Sequence, residues 1–128
     1  MSKQRRKYVA IIDDDKDIVE LFSEALKAEG FNVKGFDDPV SALEHLYAHH
    51  SEYLLVVTDI RMPDIDGLHL AKLIHQMDHE VRVIFMSAFE VYDDRIKEIQ
   101  IDEIIKKPIH IPELANVIRN NLIQVKTP

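Results

Sequence analysis

The stretch Leu54-Leu55-Val56-Val57-Thr58-Asp59-Ile60-Arg61-Met62-Pro63-Asp64-Ile65-Asp66-Gly67 decides the fold. It opens on a continuous apolar run, where a half-exposed strand would alternate. A strand covered on both faces of a parallel sheet has that composition. The run ends in a carboxylate, Asp59. Pro63 and the pair Asp66-Gly67 then interrupt the chain, and Leu68–His75 resumes with helical spacing.

The same alternation of periods extends in both directions. Short apolar runs at Tyr8–Ile12, Phe31–Phe36, Leu54–Thr58, Val81–Met86 and Glu103–Lys106 predict strands. Val9-Ala10-Ile11-Ile12 is again continuously apolar, whereas Phe31–Phe36 alternates imperfectly, as a more exposed strand would. Between the runs lie helical stripes. Ile18, Leu21, Phe22, Ala25 and Leu26 form one, with Gly30 as its C-cap. Asp37-Asp38-Pro39 starts another, with Leu43, Leu46 and Tyr47 on its inner face. Leu114, Val117, Ile118, Leu122 and Val125 form the last. Val91–Ile99 is mostly polar and predicts a short, exposed helix. Strand and helix in turn, five times over, give an α/β fold: a parallel sheet with helices on both faces and right-handed crossovers. Ligands of such sheets bind beyond the carboxyl ends of the strands.

Composition narrows the chemistry. The chain has 128 residues, enough for a single domain with its own core. It has no cysteine, which excludes disulfides, thiolate nucleophiles and Cys-based zinc sites and fits a cytoplasmic setting. No apolar run has the length of a membrane span. Lys3, Arg5, Arg6 and Lys7 precede an apolar stretch too short for a signal peptide, and are read as a solvated basic tail over residues 1–7. With 16 Lys and Arg against 23 Asp and Glu, the net charge of −7 argues against direct nucleic-acid binding.

The strand ends carry the chemistry. Asp13, Asp14 and Asp15 follow the first run, Asp59 the third, Ser87 and Ala88 the fourth, and Lys106, Lys107 and Pro108 the fifth. If the first, third and fourth strands are central neighbours, these groups meet at one rim. Crowded carboxylates repel, and a hard divalent cation with oxygen ligands relieves this. Asp59 would then be a carboxylate nucleophile for a phosphoryl group, with a Lys ammonium neutralising charge and Ser87 donating a hydrogen bond. Asp15 or Asp17 serves instead as helix-capping charge, and Lys106 points away from Lys107 into solvent.

Asp13-Asp14, Asp59 with Met62-Pro63 and Asp66-Gly67, Ser87-Ala88 and Lys107-Pro108, in this order, closely resemble the receiver domains of response regulators. The likeness spans residues 8–125, leaving 126–128 as a tail. It implies a flavodoxin-like fold with strand order 2-1-3-4-5. It implies Asp59 as phosphoacceptor and Mg2+ (or Mn2+) held by Asp13, Asp14, Asp59 and the backbone carbonyl of Arg61. Ser87 would sense the phosphoryl group, Lys107 would bridge to it, and the Lys107-Pro108 bond would be cis. It also implies a signalling switch, stand-alone or cut from a larger regulator, not an enzyme in its own right, which catalyses only its own phosphorylation and dephosphorylation. The donor would be a sensor histidine kinase or phosphotransfer protein, with no membrane partner. A downstream protein target would meet the face built from the fourth helix, fifth strand and fifth helix, where homodimerisation also stays open.

Three departures from the family pattern stand out. Ile104 occupies a position often held by an aromatic switch residue, so its readout is expected to be muted or steric. Gln100-Ile101 replaces a common Gly-Ala. Arg61 and Phe89 flank the site and are expected to shield the phosphoryl group from water. The rival readings are a haloacid-dehalogenase-like phosphatase, which needs a second Asp where Arg61 stands, and a phosphorylation-independent module of the same fold. The seven histidines are read as solvated surface, since neither His45/His49 nor His75/His79 has an acidic partner at convincing spacing.

Overall fold

Five parallel strands lie side by side in the order Asn32–Phe36, Tyr8–Ile12, Tyr53–Asp59, Arg82–Ser87, Glu103–Lys106. The computed structural model describes residues 6–88 and 103–126. Along the chain run β1 (Tyr8–Ile12), α1 (Lys16–Ala28), β2 (Asn32–Phe36), α2 (Pro39–His49), β3 (Tyr53–Asp59), α3 (Gly67–Met77), β4 (Arg82–Ser87), β5 (Glu103–Lys106) and α4 (Ile111–Lys126). The helix expected at Val91–Ile99 lies outside the described residues, as do Phe89, the Gln100-Ile101 turn, Lys3, Arg5 and the side chain of Val125. The carboxyl-terminal helix is therefore numbered α4.

The continuous apolar runs feed two cores, one on each face of the sheet. Val9, Ile11, Leu55, Val57, Ile84 and Met86 pack with Phe22 and Leu26 of α1 and Leu114, Ala115 and Ile118 of α4. Ala10, Ile12, Val56, Val83 and Phe85 pack with Ala42 and Leu46 of α2 and Leu68, Leu70, Ala71 and Ile74 of α3. Each large side chain among them contributes about 2 kcal/mol by leaving water. Strands β3 and β4 run one residue further than expected, because the ladder continues through Asp59↔Met86 and Ser87↔Lys106.

Turn chemistry places the helices. Asp15, Asp38 and Asp66 cap α1, α2 and α3 through their carboxylates. At the end of α1 the cap residue is Glu29, and Gly30 follows at φ +100. The amides of Gly30 and Phe31 close on the carbonyls of Lys27 and Leu26, the double closure typical of a glycine-terminated helix. Two inner-face assignments are corrected. Leu21 (59% exposed) and Tyr47 (75%) face solvent. The buried stripe of α1 is Val19, Phe22, Ser23 and Leu26, and that of α2 is Pro39, Ala42 and Leu46. α1 packs closely on Gly35, where a Cβ would meet Val19 and Ser23 of that buried stripe.

Arg6 is not a solvated tail residue. Its guanidinium donates to the carbonyls of His50 and Tyr53 and to Asp78 Oδ2 at 2.8 Å. His50 Nδ1 meets the same oxygen at 2.7 Å. Burial opposes the Asp78 charge, yet the His50 and Arg6 contacts outweigh it and hold its carboxyl below the usual range. Asp78→Ala is therefore expected to cost about 2 kcal/mol in urea unfolding, since it leaves two part-buried donors without their acceptor. A carboxyl held low contributes stability above its unfolded pKa of about 4 and loses it as pH falls through the lower folded value. The wild-type advantage over the variant should thus persist at neutral pH and shrink only below about pH 4.

The reading of all histidines as solvated is corrected with it. His45 is half-buried and its Nε2 meets the Tyr53 hydroxyl at 2.7 Å, whereas His49 stays exposed and pairs with Glu52 at 2.7 Å. Burial, then His49 and Lys34, hold the His45 imidazole below its ordinary pKa. These partners come from the turn after α2 and from β3, which helical spacing cannot reveal.

Candidate functional site

The rim beyond the carboxyl ends of β1, β3 and β5 gathers Asp13, Asp14, Asp59 and Lys107. Asp13 is buried, Asp59 half-buried and Asp14 exposed, and one carboxylate oxygen from each lies within 4.8 Å of the others. Among the described residues no other group of three acidic or imidazole side chains converges in this way. Lys107 Nζ lies 3.1 Å from Asp59 Oδ2 and 3.3 Å from Asp13 Oδ2.

Local backbone fixes each group. Asp13 Oδ1 accepts from the Asp15 amide at 2.9 Å, which turns the carboxylate back over the start of α1. Asp59 Oδ1 accepts from the Ile60 amide at 2.8 Å, leaving Oδ2 toward the ammonium. The Lys107 amide donates to the Ser87 carbonyl at 2.7 Å, so the end of β4 holds the end of β5. The Lys107-Pro108 bond is cis, as expected. Gly67 donates to the Ile60 carbonyl at 2.7 Å and lets α3 start against the backbone of Asp59.

The electrostatics show a site short of positive charge. Burial raises the Asp13 carboxyl above its ordinary range, with repulsion from Asp59 added. The Asp15 amide and Lys107 oppose this without cancelling it. Burial works against the Lys107 ammonium too, but Asp13 and Asp59 outweigh it and raise its pKa. Among the described residues the Lys107 ammonium is set against Asp13 and Asp59, and the three carboxylates still crowd their oxygen donors together. That donor set fits a hard divalent cation such as Mg2+, which binds through one or two carboxylates and further oxygens.

Ser87 ends β4 and is buried, while Ala88 is exposed. Ser87 thus stands on the strand next to Asp59, in register with Lys106. Arg61 is exposed in the loop after β3. Lys106 is exposed, on the strand face opposite buried Ile105. Ile104 is 39% exposed and points outward from β5.

The sequence pattern of the response regulator receiver domain matches residues 9–119. This chain belongs to that family. The response regulator receiver protein CpdR of Brucella abortus is 30% identical over 122 residues, which cover 91% of this receiver and 98% of CpdR. The transcriptional regulatory protein PrrA of Mycobacterium leprae is 32% identical over 109 residues, but that span is 46% of PrrA. The response regulator TrrA of Thermotoga maritima, solved in complex with Mg(2+)-BeF, superposes with a TM-score of 0.79 at 28% identity, over 90% of this receiver and 98% of TrrA. The receiver is accordingly a two-component phosphoacceptor module, a signalling switch in the flavodoxin-like fold. Among the described residues no helix is long and apolar enough to cross a membrane.

Proposed function

We propose that Asp59 is the residue phosphorylated, with a sensor histidine kinase or a phosphotransfer protein as donor. One observation carries this: a carboxylate at a strand end with one oxygen held by a backbone amide and the other 3.1 Å from an ammonium. An Asp59 oxygen attacks phosphorus, forming an O–P bond as the N–P bond of the donor's phosphohistidine breaks. The imidazole leaves with the electron pair and takes a proton from water. Lys107, already facing Asp59, follows the transferred charge, and the Ser87 hydroxyl donates to a phosphoryl oxygen. Water attack on phosphorus later restores the carboxylate and releases inorganic phosphate. These two reactions of its own side chain are the catalysis assigned to this receiver.

Asp13, Asp14, Asp59 and the backbone carbonyl of Arg61 would hold Mg2+, with Mn2+ as a substitute. When bound, the ion neutralises the carboxylates and the phosphoryl oxygens. The Mg(2+)-BeF complex of TrrA supports the assignment, since beryllium fluoride imitates a phosphoryl group on a carboxylate. A cytoplasmic setting suits a receiver without cysteine. The face around β5 and α4, with Ile104 outward, is assigned to the downstream target or to a second copy.

Acetyl phosphate with Mg2+, followed by intact-mass measurement, tests the assignment. The wild-type chain should gain one phosphoryl group. EDTA or Asp59→Asn should abolish the gain. Uptake that persists in Asp59→Asn would sink it, as would many turnovers of a phosphate ester by the wild type.

A further inference from the structure

Thr58 precedes Asp59 in β3 and is fully buried. In register it lies between Ile12 of β1 and Phe85 of β4, both members of the apolar core under α2 and α3. Packing alone would be served as well by Val, which has the same shape and no donor to desolvate. A buried hydroxyl costs free energy unless it is bonded. Thr58 Oγ1 has such a bond, donating to the Asp59 carbonyl at 2.9 Å.

That carbonyl belongs to the peptide unit between Asp59 and Ile60. The other end of the unit is the Ile60 amide, which donates to Asp59 Oδ1 at 2.8 Å and also reaches the Met86 carbonyl at 3.2 Å. The peptide is thus held at both ends. Its N–H selects Oδ1 of the carboxylate, and its C=O is fixed by Thr58. A rotation of this unit would release Oδ1 and let the carboxylate turn, so that neither oxygen kept its place opposite Lys107. Gly67 packs directly on the same carbonyl and leaves room for it on the other side.

We infer that Thr58 is a positioning residue for phosphoryl transfer: its hydroxyl locks the Asp59–Ile60 peptide and so presents Asp59 Oδ2, not Oδ1, to the incoming phosphorus. The inference rests on Asp59 being the phosphoacceptor. It acts on the geometry of attack and not on donor binding, so the maximal rate should change while the half-saturating donor concentration does not.

The test compares wild type, Thr58→Val and Thr58→Ser for the rate of phosphorylation by acetyl phosphate, over a range of donor concentrations at saturating Mg2+. Thr58→Val should lower the maximal rate about tenfold, the scale of one buried hydrogen bond. Its half-saturating concentration should not move. Thr58→Ser, which keeps the donor, should stay within about twofold of wild type. Thr58→Val at the wild-type rate would overturn the inference, as would a slow Thr58→Ser or a change confined to donor saturation. In the wild-type protein the Thr58 hydroxyl proton should exchange slowly with water and couple by NMR to the Asp59 carbonyl carbon. Fast exchange without that coupling would overturn the inference even if Thr58→Val failed to fold. A wild-type chain that takes up no phosphoryl group overturns the Asp59 assignment itself, whereas uptake lost in Asp59→Asn but normal in Thr58→Val overturns the role of Thr58 alone.

Discussion

Gly67→Ala is expected to destabilise the domain by about 3 kcal/mol, at the upper end of the range for overpacking. Local propensity alone gives the opposite sign, since Ala is a better helix residue than Gly by about 1 kcal/mol and position 67 opens α3. Sterics decide. A Cβ on Gly67 would overlap the Asp59 carbonyl oxygen and lie 2.9 Å from Ile60 Cα and 3.0 Å from the Asp59 carbonyl carbon. All three are backbone atoms, so no rotamer change removes the clash. Either α3 lifts from β3, loosening Leu68, Leu70, Ala71 and Ile74, or the Asp59–Ile60 peptide moves and takes the carboxylate with it. Both routes also remove phosphoryl uptake. Urea unfolding together with the acetyl phosphate assay checks this: a variant as stable as wild type would show that the close approach is not required.

This steric demand explains why Gly67 stands where α3 meets the end of β3, and it marks what the sequence does and does not disclose. Continuous apolar runs with carboxylates at Asp13 and Asp59 were legible because a two-faced parallel strand must be apolar throughout and polar only where it leaves the sheet. Strand order was not legible from periodicity, which says nothing about which strand pairs with which; it came from the resemblance. Asp13, Asp14, Asp59 and Lys107 could be named because each ends or follows a strand. The Arg6–Asp78 contact joins residues 72 apart, and a basic residue before the first strand has the same spelling whether solvated or clasped. Leu21 and Tyr47 face outward against the apolar pattern because the buried stripes of α1 and α2 include Ser23 and Pro39, which a hydrophobic count passes over. A hydroxyl inside an apolar run, as at Thr58, signals nothing until its acceptor is known.

Asp13→Asn is expected to act in opposite directions on stability and on function. In the metal-free chain Asp13 is buried and its pKa is raised, chiefly by that burial. A carboxyl raised in the folded state takes up protons more readily folded than unfolded. Its contribution to stability therefore falls as pH rises from about 4 through the folded pKa, and at neutral pH the ionised group is a net cost. Asn removes the charge and keeps an oxygen for the Asp15 amide. Lys107 loses one partner but retains Asp59 at 3.1 Å. With EDTA present, the variant should be more stable than wild type by about 1 kcal/mol, the gain common when a strained functional site is relaxed. Its Mg2+ affinity should fall by about tenfold to a hundredfold, and phosphoryl uptake at limiting metal should fall with it. Urea midpoints with EDTA and with saturating Mg2+ read both effects, and the order of stability should invert between the two conditions. A variant less stable than wild type without metal would mean that the Lys107 contact outweighs the burial of Asp13. The fold would then gain from its acidic rim, and Asp13 would be accounted for without Mg2+.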